Sequence, residues 1–214
     1  MRQRPALFGL ALCILLGGCG ASHSTASRTP SSALMTTGPG PSTPTAHRAG
    51  ILGRVLTDNE LKGFTGSPQP IATTARTWLD GEQDPELHVD QSRLTRLGFI
   101  RGVRENLSDG GAGGLSTVAQ FPSNRAARAE LAAEIAEDKN GSGGPYKAFA
   151  VPAIPDADGF TLVASGSGGI NIAFTKGPYF YLVGQEVGPS TGSISSDIRN
   201  LTAAAKHLYH RVSS

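Results

Sequence analysis

The sequence is poor in cysteine, in aromatic residues and in blocks of like charge. Of its 214 residues two are Cys and one is Trp, aromatic residues make up 6%, and charged residues make up 17%. Only Cys13 and Cys19 offer thiols, and both lie at the N-terminus, so no cysteine framework holds the rest of the chain. No apolar run approaches the roughly 20 residues that a helix needs to cross a bilayer. No run of Lys or Arg forms the basic stripe expected of a nucleic-acid partner, so none is expected. There is also no D-x-D-x-D-G calcium loop and no G-K-[ST] phosphate cradle; the glycine clusters at Asp109–Gly114 and Gly166–Gly169 read as hairpin turns.

What is present begins with an address. Arg2 and Arg4 precede a short apolar run, Ala6–Leu16, and a small-residue exit, the three parts of a secretory signal. Leu16-Gly17-Gly18-Cys19 follows, a branched apolar residue and two small ones before a cysteine. Removal of residues 1–18 would discard Cys13 with both arginines and lower the formal charge from +2 to zero. Gly20–Ala49 is dominated by Ser, Thr, Ala, Gly and Pro; with little to bury, it cannot offset its ordering entropy and reads as a disordered linker.

Residues 50–214 are long enough for one domain. Thr57 and Glu60 have the spacing of a capping box for a short helix ending near Gly63. Ile71–Leu79 leans toward strand through its Thr residues and Trp78. Glu86–Leu97 reads as a helix stopped by Gly98. Phe99–Leu107 and Leu115–Phe121 read as a hairpin whose alternation slips at Gly102, where a bulge is expected. Ser123 caps a helix to about Asp138, with Ala127, Leu131 and Ile135 on one face. Four strands follow, at Lys147–Val151, Phe160–Ser165, Ile170–Thr175 and Tyr179–Val187, the last apolar on both faces and therefore central. The final helix, Ser193 to about Val212, has the clearest apolar stripe: Ile194, Ile198, Leu201, Ala205, Leu208 and Val212. Adjacent strands in runs predict an α+β domain with a mainly antiparallel sheet, helices mostly on one face and a long C-terminal helix.

Candidate chemistry is sparse. Gly188-Pro-Ser190-Thr-Gly192 matches the nucleophile elbow and lies between a strand and a helix. Its candidate partners Asp197, His207 and His210 share one helix, on which Asp197 and His207 sit about 15 Å apart along the axis. The stretch therefore reads as a turn with capping hydroxyls, although another base such as His88 remains open. His207 and His210 read as cations at a helix C-terminus, not as a metal pair. Asp80–Asp90 reads as a solvated acidic loop leading into a helix start. Trp78, Tyr179 and Tyr181 are the candidate ligand-facing residues, with core packing the alternative. No metal and no cofactor are expected.

The run Leu16–Cys19 resembles the bacterial lipobox, with Gly17 where Ala, Ser or Thr is more usual. That resemblance implies diacylglycerol on the Cys19 thiol, cleavage before it, and a firm anchor on the extracytoplasmic face of the cell membrane. Arg93–Glu105 ("RLTRLGFIRGVRE"), Leu115–Ser123 ("LSTVAQFPS") and Phe149–Phe160 ("FAVPAIPDADGF") resemble secreted lipoproteins of actinobacteria, and 14 arginines against 5 lysines suit a GC-rich genome. The resemblance brings no activity and no catalytic residues. Two expectations follow. The first is a noncatalytic binding or adaptor lipoprotein for a solute, lipid or envelope protein. The alternative is an envelope hydrolase using Ser190 or an unidentified acid/base pair.

Overall fold

The computed structural model describes residues 50–79, 87–141, 144–188 and 193–212. Within them the strands are β1 (Thr65–Pro68), β2 (Arg101–Ser108), β3 (Gly113–Gln120), β4 (Tyr146–Phe149), β5 (Asp158–Ala164), β6 (Ser167–Lys176) and β7 (Tyr179–Val187). They form one sheet in the order β1-β2-β3-β7-β6-β5-β4, and each neighbouring pair is antiparallel. The helices are α1 (Ala75–Leu79), α2 (Leu87–Leu97), α3 (Asn124–Asn140) and α4 (Ile194–Arg211), preceded by a 3₁₀ turn at Gly50–Arg54. This is the α+β domain with an antiparallel sheet and a long C-terminal helix that the sequence predicts. No helix among the described residues is long and apolar enough to cross a membrane.

The hairpins follow from turn chemistry. Between β2 and β3, Asp109 Oδ1 accepts from the N–H groups of Gly111 and Ala112 at 2.8 and 2.6 Å. Between β5 and β6, Ser165 and Gly166 both take positive φ, +52° and +83°, the two-residue turn that matches strand twist. β7 sits fourth of seven, which explains why it is apolar on both faces.

Alternation along the strands sends side chains to two cores. On one face Ile170, Ile172 and Phe174 of β6 and Tyr181 and Val183 of β7 meet Leu201, Ala205 and Leu208 of α4. Val55, Leu56 and Phe64, from the segment before β1, complete that core. On the other face Phe160, Leu162, Ala173 and Phe180 meet Ala127, Leu131 and Ile135 of α3, Leu94 of α2 and Trp78 of α1. Three of the four α-helices thus share one face, as expected, and α4 covers the other.

Three local expectations need correction. Thr57 and Glu60 do engage, the Thr57 N–H and hydroxyl both donating to Glu60 Oε2, but they close a turn instead of starting a helix. Asn59 at φ +64° and Gly63 at φ +88° break the helical path. The leaning of Ile71–Leu79 toward strand is overturned as well: Ala72 makes one isolated bridge to Gly102, and Ala75–Leu79 is helical. Thr74 and Thr77 start it by exchanging side-chain-to-backbone bonds, each 3.1 Å. No bulge occurs at Gly102, which pairs in continuous register with Ala119. The glycine is there because a Cβ would lie 2.4 Å from Cζ3 of Trp78, whose ring covers it.

Candidate functional site

The least ordinary chemistry in the described residues lies between α2 and α3. Glu130, Glu134 and Glu137 fall at helical spacing i, i+4, i+7, so they form one stripe along α3. Arg93 of α2 points into that stripe, and Asp90 lies one turn before it on the same helix. Arg93 Nε and Nη2 contact the two oxygens of Glu130 at 3.1 and 3.3 Å. Nη2 also reaches Glu134 at 3.0 Å, and Nη1 reaches Asp90 at 3.2 Å and Glu137. Four of these contacts are hydrogen bonds from the guanidinium, and the one to Asp90 is an ion pair. Arg93, Asp90 and Glu130 are all buried.

Four carboxylates surround one cation. Burial works against the charge on Arg93, but Glu130, Glu134, Glu137 and Asp90 together outweigh it and hold the guanidinium above its ordinary range. For the acids, burial dominates. It raises Glu130 against the pull of Arg93, and it raises Glu134 strongly, with Glu130 adding repulsion. Burial also pushes Glu137 up to about 7 and Asp138 up to about 6. Removing several charges from water costs several kcal/mol per ion, so such a cluster is no stability device in itself.

Above the seam runs an open groove of about 650 Å³ whose lining includes His88, Val89, Arg96, Ala133, Ala136 and Glu137. Its charged rim is divided: His88 and Arg96 come from α2, and Glu137 from α3. Val89 is 56% exposed there, an apolar side chain facing water beside two alanines. The sequence signal for this site was the E-x3-E-x2-E stripe of α3, which a reading by apolar periodicity passes over as a solvated face.

The residues singled out in the sequence go elsewhere. Trp78 is buried on the α1–α3 face, its ring 5.5 Å from that of Phe99 and beneath the Arg104 guanidinium at 4.6 Å. Tyr181 is fully enclosed on the α4 face, stacked on Phe174 at 4.7 Å, and its hydroxyl accepts from Arg54 Nη1 at 2.8 Å. Tyr179 is half-buried beside it with the Arg54 guanidinium 3.8 Å over its ring. The two tyrosines therefore come together with Arg54, and Trp78 stands across the sheet from them. Cys19 and Ser190 lie outside the described residues. Asp197 is buried in the first turn of α4, whereas His207, further along the helix, is exposed and 3.1 Å from Glu60. His88 and Asp90, from the acidic stretch, line the groove and the seam respectively; residues 80–86 lie outside the described part.

No family model and no curated protein matches the chain. Among solved structures it is similar to the extracellular domain of PknH from Mycobacterium tuberculosis, at 13% identity and a TM-score of 0.47, over 75% of this chain and 94% of that one. A likeness at that level bears on neither activity nor ligand.

Proposed function

We propose that the chain is a lipid-anchored extracytoplasmic protein that presents a noncatalytic binding or adaptor domain at the cell membrane, and that its partner is another envelope protein. The observation that carries the anchor is Leu16-Gly17-Gly18-Cys19, placed at the exit of a short apolar run and followed at once by a Ser/Thr/Pro-rich segment. A coil of that length spans about 30 Å, enough to hold a small domain clear of lipid headgroups. Two acyl chains on Cys19 anchor firmly where one binds marginally.

The binding half rests on the α2–α3 groove. Small-molecule sites are enclosed and mostly apolar. This groove is open, carries both signs of charge on its rim and exposes Val89, which suits side chains of a protein surface. The separation of buried Asp197 from Glu60-bound His207 along α4 argues against a relay serving Ser190.

Two experiments test the two halves. With Cys19→Ala, the protein should leave the membrane fraction for the soluble extracytoplasmic or secreted fraction; unchanged membrane association would sink the anchor. A photo-crosslinking residue at Val89 should yield a discrete protein adduct in intact envelopes, and the same probe at exposed Lys206 should not. Equal labelling at both positions, or none at Val89, would remove the groove as the docking surface.

A further inference from the structure

We propose that the α2–α3 seam is an acid-tightened latch: protons held among Glu130, Glu134 and Glu137 keep α2 seated on α3 at acidic pH, and their loss as pH rises loosens α2 and widens the groove. The geometry carries this. Arg93 already donates four hydrogen bonds to Glu130, Glu134 and Glu137 and pairs with Asp90, so one cation stands among four carboxyls that could each carry a negative charge. The Oε1 atoms of Glu130 and Glu134, one helical turn apart on α3, also share a single nitrogen, Arg93 Nη2, at 3.3 and 3.0 Å. Two carboxylates have no donor of their own, so when both are ionised they meet at that nitrogen as like charges, and a proton on either relieves the repulsion. Ionising both places that repulsion at the helix interface.

The charged groups of the described residues that face the seam come from both helices. From α2 the facing charges are Asp90 and Arg93, with His88 and Arg96 on the groove rim; from α3 they are Glu130, Glu134, Glu137 and Asp138. The charged residue of α1, Arg76, is exposed. On the sheet beneath, Arg104 lies over the Trp78 ring, and Glu186 accepts from the Gly113 N–H at 3.0 Å.

The direction is fixed by linkage. The acids sit above their ordinary values in the folded chain, so the folded seam binds protons more tightly than an open one. Its stabilisation is complete below the ordinary carboxyl value of 4.5 and fades as pH rises, for Glu137 through about 7. Use of the latch as a sensor of external pH rests on the extracytoplasmic placement proposed above; the latch itself does not.

Hydrogen exchange on the full chain, corrected for intrinsic exchange at each pH, reads it directly. Protection of the α2 amides, residues 87–97, should fall by about tenfold or more between pH 5 and pH 8, the factor carried by one unit of carboxyl shift. The amides of α4 should hold their protection. Glu134→Gln, which keeps the hydrogen bonds and removes the charge, should flatten the α2 response and raise protection at pH 8. If that variant does not fold, carbon-detected NMR titration of the wild-type side chains serves instead, with at least one of the three glutamates expected to titrate above pH 6. Equal α2 protection at pH 5 and 8, an unaltered response in Glu134→Gln, or all three glutamates titrating near 4.5 would each overturn the latch. None of these outcomes depends on whether Cys19 carries lipid.

Discussion

The two faces of the sheet are covered in different ways. On one, α4 lies directly on β6 and β7 with a continuous apolar stripe, Leu201, Ala204, Ala205 and Leu208, each almost wholly buried. At its C-terminal end Arg211 donates to the carbonyls of Gly53 and Val55 and to Glu60, tying the start of the domain to its last helix. On the other face, α3 also packs on β6 and β7, but its far side meets α2 through Arg93 and four carboxylates. Burial of apolar surface, about 1.5–3 kcal/mol for a side chain such as Leu, holds the first face. The second face adds to its apolar core an interface whose ionic balance shifts with pH. One side of the domain is built to stay closed, and the other carries its adjustable part and its groove.

Three substitutions test this contrast. Arg93→Met has the largest expected effect. It leaves buried carboxylates with no cation, which costs about 3–5 kcal/mol at pH 8. The cost should shrink at pH 5, where Glu137, pushed up to about 7, is already protonated, and urea unfolding at the two pH values would show it. A loss independent of pH would mean that Arg93 acts by packing alone. Leu208→Ala should cost about 2–5 kcal/mol through the cavity it leaves under α4, and by the same assay the loss should be equal at both pH values. Ser123→Ala should cost about 1 kcal/mol, because the hydroxyl accepts from the Ala126 N–H at the start of α3. This smallest effect tests whether α3 is anchored by its cap independently of the seam: the pH response of α2 exchange should survive it.

The contrast also explains what the sequence made legible. The face under α4 could be read in advance because both partners obey simple periods: a stripe at steps of three and four in α4, and two-residue alternation in β6. Two apolar faces predict that β7 is central, and the predicted bounds, Tyr179–Val187, match the observed strand. Short elements set by a few contacts were harder. At Ala75–Leu79 the reciprocal Thr74–Thr77 cap decided the helix, against the strand preference of Thr and Trp. At Gly102 the break in alternation marks a ring pressed on the backbone from an element distant in sequence, which no local pattern reveals. The seam was the least legible part. Glu130, Glu134 and Glu137 have the spacing of an ordinary solvated face, and only the placement of α2 and Arg93 turns that face inward. Ser190 carries a glycine-flanked motif, whereas the α2–α3 seam has none.

The central functional claim concerns where this two-sided domain is held, and it is decided at Cys19. Mass spectrometry of the N-terminal peptide of the protein from its own cells is the most direct measurement. The mature chain should begin at Cys19, with a diacylglycerol on the thiol and residues 1–18 gone. A mature chain that retains residues 1–18, or one in which Cys19 carries no lipid, would contradict it.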